Sequence, residues 1–232
     1  MTAERHDDAP GSGRSRRAGR LLPLLIAASL AGAALLGRSA LGPHPGRAAP
    51  AGVDMNGRPV QLDPGGGLAP QQRQQQDAKP EGAGRFVVPS VGLDVPLGTM
   101  NEVAGSVVPP GFASAFLIVN LGAPTSPATG TVYVAMHSLR WGAVGPGNYL
   151  FAPETGTSKV APGAAVFAGG VRYVVDGATA VPKAELPDAD AIWADVPGRL
   201  VVLTCLERPD NSPAVDNFVI VAHLDPSGAD PR

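Results

Sequence analysis

The chain has 232 residues, enough for one domain with terminal extensions but short for two large ones. Eighteen Lys and Arg against twenty Asp and Glu leave a formal charge of -2, without the basic excess that nucleic-acid binding needs. Thirty Gly, twenty-five Pro and 5% aromatic residues exclude a long-helix protein. One cysteine, with histidines scattered at 6, 44, 137 and 223, allows no intramolecular disulfide and no sequence-local zinc site.

Residues 1–20 are polar and carry Arg14, Arg16, Arg17 and Arg20 just ahead of an apolar run from Leu21 to Gly37, which Arg38 closes. As a helix the run reaches about 26 Å, close to the ~30 Å hydrocarbon thickness of a bilayer. We therefore expect a single transmembrane signal-anchor over residues 21–41. The upstream arginines hold residues 1–20 in the cytoplasm and send the rest of the chain outside. Small residues at Ser39-Ala40 and Ala48-Ala49 leave a cleaved signal peptide open as the other reading, and both readings export the downstream domain.

Residues 42–84 are built from Pro, Gly, Ala and Gln, with the tract Gln71-Gln-Arg-Gln-Gln-Gln76, and read as a disordered linker. A folded domain is expected over residues 85–224, with a tail over 225–232. Strand-like runs succeed one another between Gly, Pro, Asp and Asn clusters: Phe86–Val88, Ala115–Val119, Thr131–Met136, Ala164–Phe167, Val171–Val175, Leu200–Thr204 and Phe218–Ala222. The class is all-β, a barrel or a sandwich. Gly169-Gly170 suits a two-residue hairpin turn, and Leu186 to Ala194 is the clearest short helix. The glycines of Gly145-Pro-Gly147 lack the spacing of a phosphate-binding loop.

Two residues with chemistry stand at strand ends. Cys205 closes the run Leu200–Thr204 and is a buried small hydrophobe, an intermolecular disulfide partner or a nucleophile. As a nucleophile it needs a base or a cation nearby, since the thiolate is the attacking species. His137 ends the run Thr131–Met136 and is the candidate base. Arg208, three residues past the thiol, is either the cation beside it and an oxyanion donor or a solvated partner of Glu207 or Asp210. Asn217, just ahead of the last run, is a further candidate donor.

Gly130-Thr-Val-Tyr-Val-Ala-Met-His137 and Val201-Val-Leu-Thr-Cys205 resemble the histidine and cysteine motifs of the sortases, membrane-anchored cysteine transpeptidases of Gram-positive bacteria. Arg85-Phe-Val-Val-Pro89 with Val91-Gly-Leu-Asp-Val-Pro96 looks like the opening strand of actinobacterial members, of class E or F. The resemblance spans roughly residues 85 to 224. It implies a closed β-barrel of about eight strands with one or two short helices, and a catalytic domain held at the cell surface by the anchor. It also implies a reaction in which Cys205 attacks the carbonyl of an LPxTG-type sorting signal and passes the acyl group to an amine of peptidoglycan or of a pilin. His137 is then the general acid and base, Arg208 the oxyanion donor, and Thr204 a residue of the same rim. No cofactor and no metal are implied; Asp188 and Asp190 read as helix-start residues rather than a calcium site.

Val201 and Val202 stand where the family has threonine and leucine. The arginine the family carries ahead of its last strand is missing from Ala214-Val-Asp-Asn-Phe218. That gap keeps two other outcomes open, a catalytically impaired peptide-binding domain and a cysteine peptidase that hydrolyses the same bond.

Overall fold

A computed structural model describes residues 51–60 and 67–229. In chain order it contains β1 (Gly52–Val53), β2 (Pro59–Val60), α1 (Pro70–Gln75), β3 (Arg85–Val88), β4 (Leu93–Met100), β5 (Ala115–Ile118) and β6 (Thr131–Ala135). Then come β7 (Phe151–Ala152), β8 (Thr157–Ser158), β9 (Ala165–Ala168), β10 (Val171–Pro182), α2 (Asp190–Trp193), β11 (Arg199–Leu206) and β12 (Asp216–Ala229). Eight of the strands close into a barrel in the order β10-β12-β11-β6-β5-β4-β3-β9. The ring closes at β9 and β10 through Gly169 and Gly170, both with positive φ, as the two-residue turn requires. The β4–β5 and β6–β11 pairs are parallel and the other barrel pairs antiparallel.

The barrel wall is apolar on both faces where it matters most. Phe86, Leu97, Val132, Val134, Met136, Leu200, Val202 and Ile220 fill the interior. A second cluster on the outer face comprises Met100, Phe116, Ile118, Tyr133, Ala135, Val201, Leu203 and Val219. Ile192 and Trp193, from the short helical stretch the sequence predicts, cover that outer cluster, with Trp193 5.6 Å from the Tyr133 ring. Every residue of β6 is buried, which explains its unbroken apolar run where a one-sided strand would alternate.

β4 contains Pro96 and Gly98, two residues that usually oppose a strand. Pro96 is tolerated because it forms the last pair with β3, opposite Arg85, while pairing with β5 starts one residue later at Leu97. Gly98 is needed because the backbone carbonyls of Lys79 and Pro80 lie where a Cβ would stand.

Those carbonyls belong to the segment read as linker, and here the structure departs from the composition. Lys79 and Thr99 exchange backbone hydrogen bonds at 2.8 Å in both directions, and α1 precedes this crossing. Gln76 is 2% exposed and donates through Nε2 to Val108 O, while its own carbonyl accepts from Asn101 N at 2.7 Å. β1 and β2 pair as a small ribbon around Asp54, also 2% exposed. A few buried polar side chains thus fasten a segment whose composition offers little apolar area. The anchor read over residues 21–41 lies outside the described residues. Among the described residues no helix is long and apolar enough to cross a membrane. At the other end β12 continues through Pro226 into the segment read as tail.

The β6–β11 pair is set in register by a polar hub at its start. Thr131, fully buried, donates from Oγ1 to Ala194 O (3.0 Å) or Val196 O (3.2 Å) and accepts from Val196 N (2.8 Å) and Arg199 Nε (3.1 Å). Its backbone N–H donates to Asp195 Oδ1 at 2.6 Å. Thr131→Val keeps the shape of the side chain but leaves two donors without their acceptor. It should lower the unfolding free energy by about 2 kcal/mol in denaturant titration, whereas Thr129→Val, on an exposed turn, should change it little.

Candidate functional site

Parallel pairing aligns Thr131 with Arg199 and Ala135 with Leu203, so the two strands reach the same end of the barrel together. Met136 N still donates to Leu203 O, at 3.1 Å, and beyond that bond the chains diverge as His137 and Cys205. Both continue the series that faces outward, Tyr133 and Ala135 on one strand and Val201 and Leu203 on the other. On the far side of β11, Asn217 is the direct cross-strand partner of Cys205 and faces the same way. The structure therefore gathers three of the residues singled out in the sequence, Cys205, His137 and Asn217.

The two chains are stitched together just past the strands. Ser138, 5% exposed, donates from Oγ to Cys205 O at 2.6 Å, with Glu207 Oε1 3.1 Å away. Arg140 lies 3.7 Å from Glu207 Oε2, both side chains being almost wholly buried, and it donates to Asn211 O at 2.7 Å. Its guanidinium also rests on Trp141, 4.4 Å from the ring centroid. Further along the loop, Asn148 closes the turn by accepting from Leu139 N and Gly145 N and donating back to Leu139 O. The β1–β2 ribbon braces this loop from outside, because Asp54 accepts from Val144 N at 2.9 Å and Met55 N donates to Val144 O at 2.9 Å. Burial works against the Asp54 charge, but the backbone N–H groups of Val144, Arg58 and Asn56, with the Arg58 charge, hold its carboxyl below the usual value.

His137 is covered by the segment between β4 and β5. Its Nε2 lies 2.9 Å from Pro109 O, and the Phe112 ring packs 4.8 Å from the imidazole. A carbonyl only accepts, so Nε2 carries the hydrogen and the neutral ring keeps its lone pair on Nδ1. Burial lowers the His137 pKa, partly offset by the Pro109 carbonyl. The imidazole is therefore neutral at pH 7 and suited to accept a proton.

Burial pushes the Cys205 thiol above its usual value. Lys183 acts in the opposite direction by charge and by hydrogen bonding, Arg140 by charge, while Glu207 raises it further. At rest the thiol and the imidazole are thus both neutral. Lys183 is not evident from the sequence, because it enters from the end of β10, two strands away from the thiol.

Arg208 is positioned otherwise than expected. Its side chain is 48% exposed and 3.8 Å from Asp210, and it is not among the charges that act on the thiol. The solvated alternative therefore describes it. Thr204 departs in a similar way. It faces the interior, 4% exposed, with Oγ1 buried against Gly147 and without a hydrogen-bond partner, so its hydroxyl does not line the rim. A side chain at Gly147 would collide with that hydroxyl, and Gly147 N donates to His137 O at 2.9 Å. Among the described residues, no three His, Cys, Asp or Glu side chains gather as metal ligands.

Fold and site together define a closed β-barrel carrying a cysteine and a histidine at the ends of adjacent parallel strands. Solved structures similar to the chain include sortase A of Listeria monocytogenes, at 16% identity over 62% of this chain and 86% of that one, with a TM-score of 0.42. The pilus-related sortase C of Group B Streptococcus is similar at 17% identity over 75% and 80%, with a TM-score of 0.45. Sortase C-1 of Actinomyces oris is similar at 18% identity over 68% and 82%, with a TM-score of 0.45. No protein-family model and no curated protein matches the chain.

Two measurements test this description. The rate of Cys205 alkylation by iodoacetamide should climb without a plateau between about pH 6 and pH 8, as expected of a neutral thiol; a plateau there would reveal a standing thiolate–imidazolium pair. Thr204→Val should leave the melting temperature unchanged or raise it, since the hydroxyl it removes is buried without a partner.

Proposed function

We propose that the chain is an exported, sortase-like cysteine transpeptidase that cleaves an LPxTG-type sorting signal and transfers the acyl group to an amine at the cell surface. The observation that carries this reading is the side-by-side ending of β6 and β11, which brings the only thiol and a neutral, tautomer-fixed imidazole to one outward face of the barrel. The motifs leading into both residues support it, as does the basic-then-apolar N-terminus.

In the proposed reaction Nδ1 of His137 takes the thiol proton as Cys205 Sγ attacks the carbonyl carbon of the scissile bond. The carbon–nitrogen bond breaks, the leaving amine takes the proton back from the imidazolium, and a thioester remains on Cys205. An incoming amine, deprotonated by His137, then attacks the thioester, forms the new amide and releases the thiol. Asn217, directly across from Cys205, is the neutral donor best located for the tetrahedral oxyanion. Each amide is exchanged for an amide, so the reaction needs no external energy source.

The test uses the full-length chain, because residues ahead of 85 brace the His137 loop. Incubated with sorting-signal peptides, the protein should gain the acyl mass on Cys205 in intact-mass spectra, and hydroxylamine should release it. Cys205→Ala should abolish the adduct, and His137→Ala should slow its formation by about 100-fold or more. A folded protein whose thiol stays unmodified with every peptide would sink the transpeptidase reading and favour a peptide-binding domain.

A further inference from the structure

The arginine expected near the thiol is absent from the approach to β12, and Arg208 points into solvent beside Asp210. The strand order brings a different cation, Lys183, onto the face that carries the thiol. Cys205 on β11 is level with Asn217 on β12, and Asn217 is level with Val181 on β10. The β10–β12 ladder then runs one step past its last pair, Pro182 with Asp216, through a 2.9 Å bond from Lys183 N to Val215 O. Lys183 consequently lies two residues beyond Val181, on the same outward face as the thiol, and of the charges acting on the sulfur it is the foremost that favours the thiolate.

Two cations act on Cys205, and they are not equivalent. Arg140 is almost wholly buried and committed to Glu207, Asn211 and the Trp141 ring. Glu207 acts on the thiol with the opposite sign and more strongly than Arg140, so this pair gives the thiolate no net support. Lys183 is exposed, and among the described residues it has no carboxylate within ion-pair distance. Among the described residues its charge is therefore not spent on an ion pair.

We propose that Lys183 is the cation that stabilises the Cys205 thiolate, supplied from β10 across β12 in place of an arginine on β12 itself. The proposal rests on Cys205 acting as the nucleophile of the transpeptidase reading. A lysine differs from an arginine here in a definite way. It offers a point charge and rotatable N–H donors rather than a planar fork, so it can follow the charge from sulfur to the nearby oxyanion without holding the peptide in a bidentate grip. Recognition of the substrate backbone would then fall to Asn217 and to the segment over His137.

The charged groups acting on the sulfur are Lys183, Arg140 and Glu207, and His137 ends the neighbouring strand, so the test must separate Lys183 from the others. Iodoacetamide alkylation of the full-length chain is followed by intact mass across a pH series, for wild type, Lys183→Met, Lys183→Arg, Arg208→Ala and the surface control Lys79→Met. Lys183→Met should move the alkylation midpoint to higher pH and slow the rate at mildly alkaline pH roughly threefold or more. Lys183→Arg should recover most of that loss, and Lys79→Met should match wild type. Melting temperatures establish that each variant is folded.

A Lys183→Met profile that superimposes on wild type, or a shift seen in Arg208→Ala instead, would overturn the proposal. Because alkylation requires no peptide, it fails independently of the transpeptidase reading. Acyl-enzyme formation with an unmoved alkylation midpoint in Lys183→Met would defeat the role of Lys183 and keep the enzyme. A shifted midpoint without any acyl adduct would uphold the lysine–thiolate pairing and defeat the transpeptidase.

Discussion

Everything at the site depends on one parallel pairing, β6 against β11. An antiparallel pair would deliver the end of one strand beside the start of the other; only parallel neighbours deliver both ends to the same rim. Such a pair needs a long connection, and here it is the chain from Met136 to Gly198, which builds β7, β8, β9, β10 and α2 on the way. The register is held at its start by Thr131, which pairs with Arg199 and whose hydroxyl bonds the chain leading into β11. Moving that register by one residue would turn Cys205 into the barrel and bring Thr204 out.

The protein invests polar groups unevenly. The barrel itself is held by apolar packing on two faces, so its strands need few side-chain hydrogen bonds. The loops after β6 and β11 have little apolar area and are held instead by Asp54, Asn148, Ser138 and the buried Arg140–Glu207 pair. A buried ion pair of this kind adds little net stability but fixes geometry, because breaking it leaves a charge stranded. That suits loops whose first residues are His137 and, just past Cys205, Glu207.

Much of the barrel is legible in the sequence because β-branched runs between turn residues signal strands locally. Cys205 and His137 are legible for a related reason: each is the first residue with chemistry after an apolar run. What the sequence does not reveal depends on distance along the chain. Lys183 looks like an ordinary loop lysine until β10, β12 and β11 are laid side by side. Residues 51–60 and 67–84 look like linker because composition counts apolar side chains and gives no weight to one aspartate or glutamine placed against a distant carbonyl or amide. Thr204 reads as a rim residue from its neighbour's identity, although alternation along a strand sends it inward. Arg208 is favoured by proximity in sequence, yet three residues past a strand end the chain has already turned to solvent.

The raised thiol has a consequence for the protein's chemical lifetime. Peroxide, glutathione disulfide and stray thiols of other proteins all react with thiolate far faster than with thiol. A cysteine kept protonated by burial is therefore slow to be oxidised or capped while it waits, even in surroundings that favour disulfides. The same burial that holds back its reactivity at rest would preserve a lone cysteine that has no partner in its own chain and no second copy to replace it.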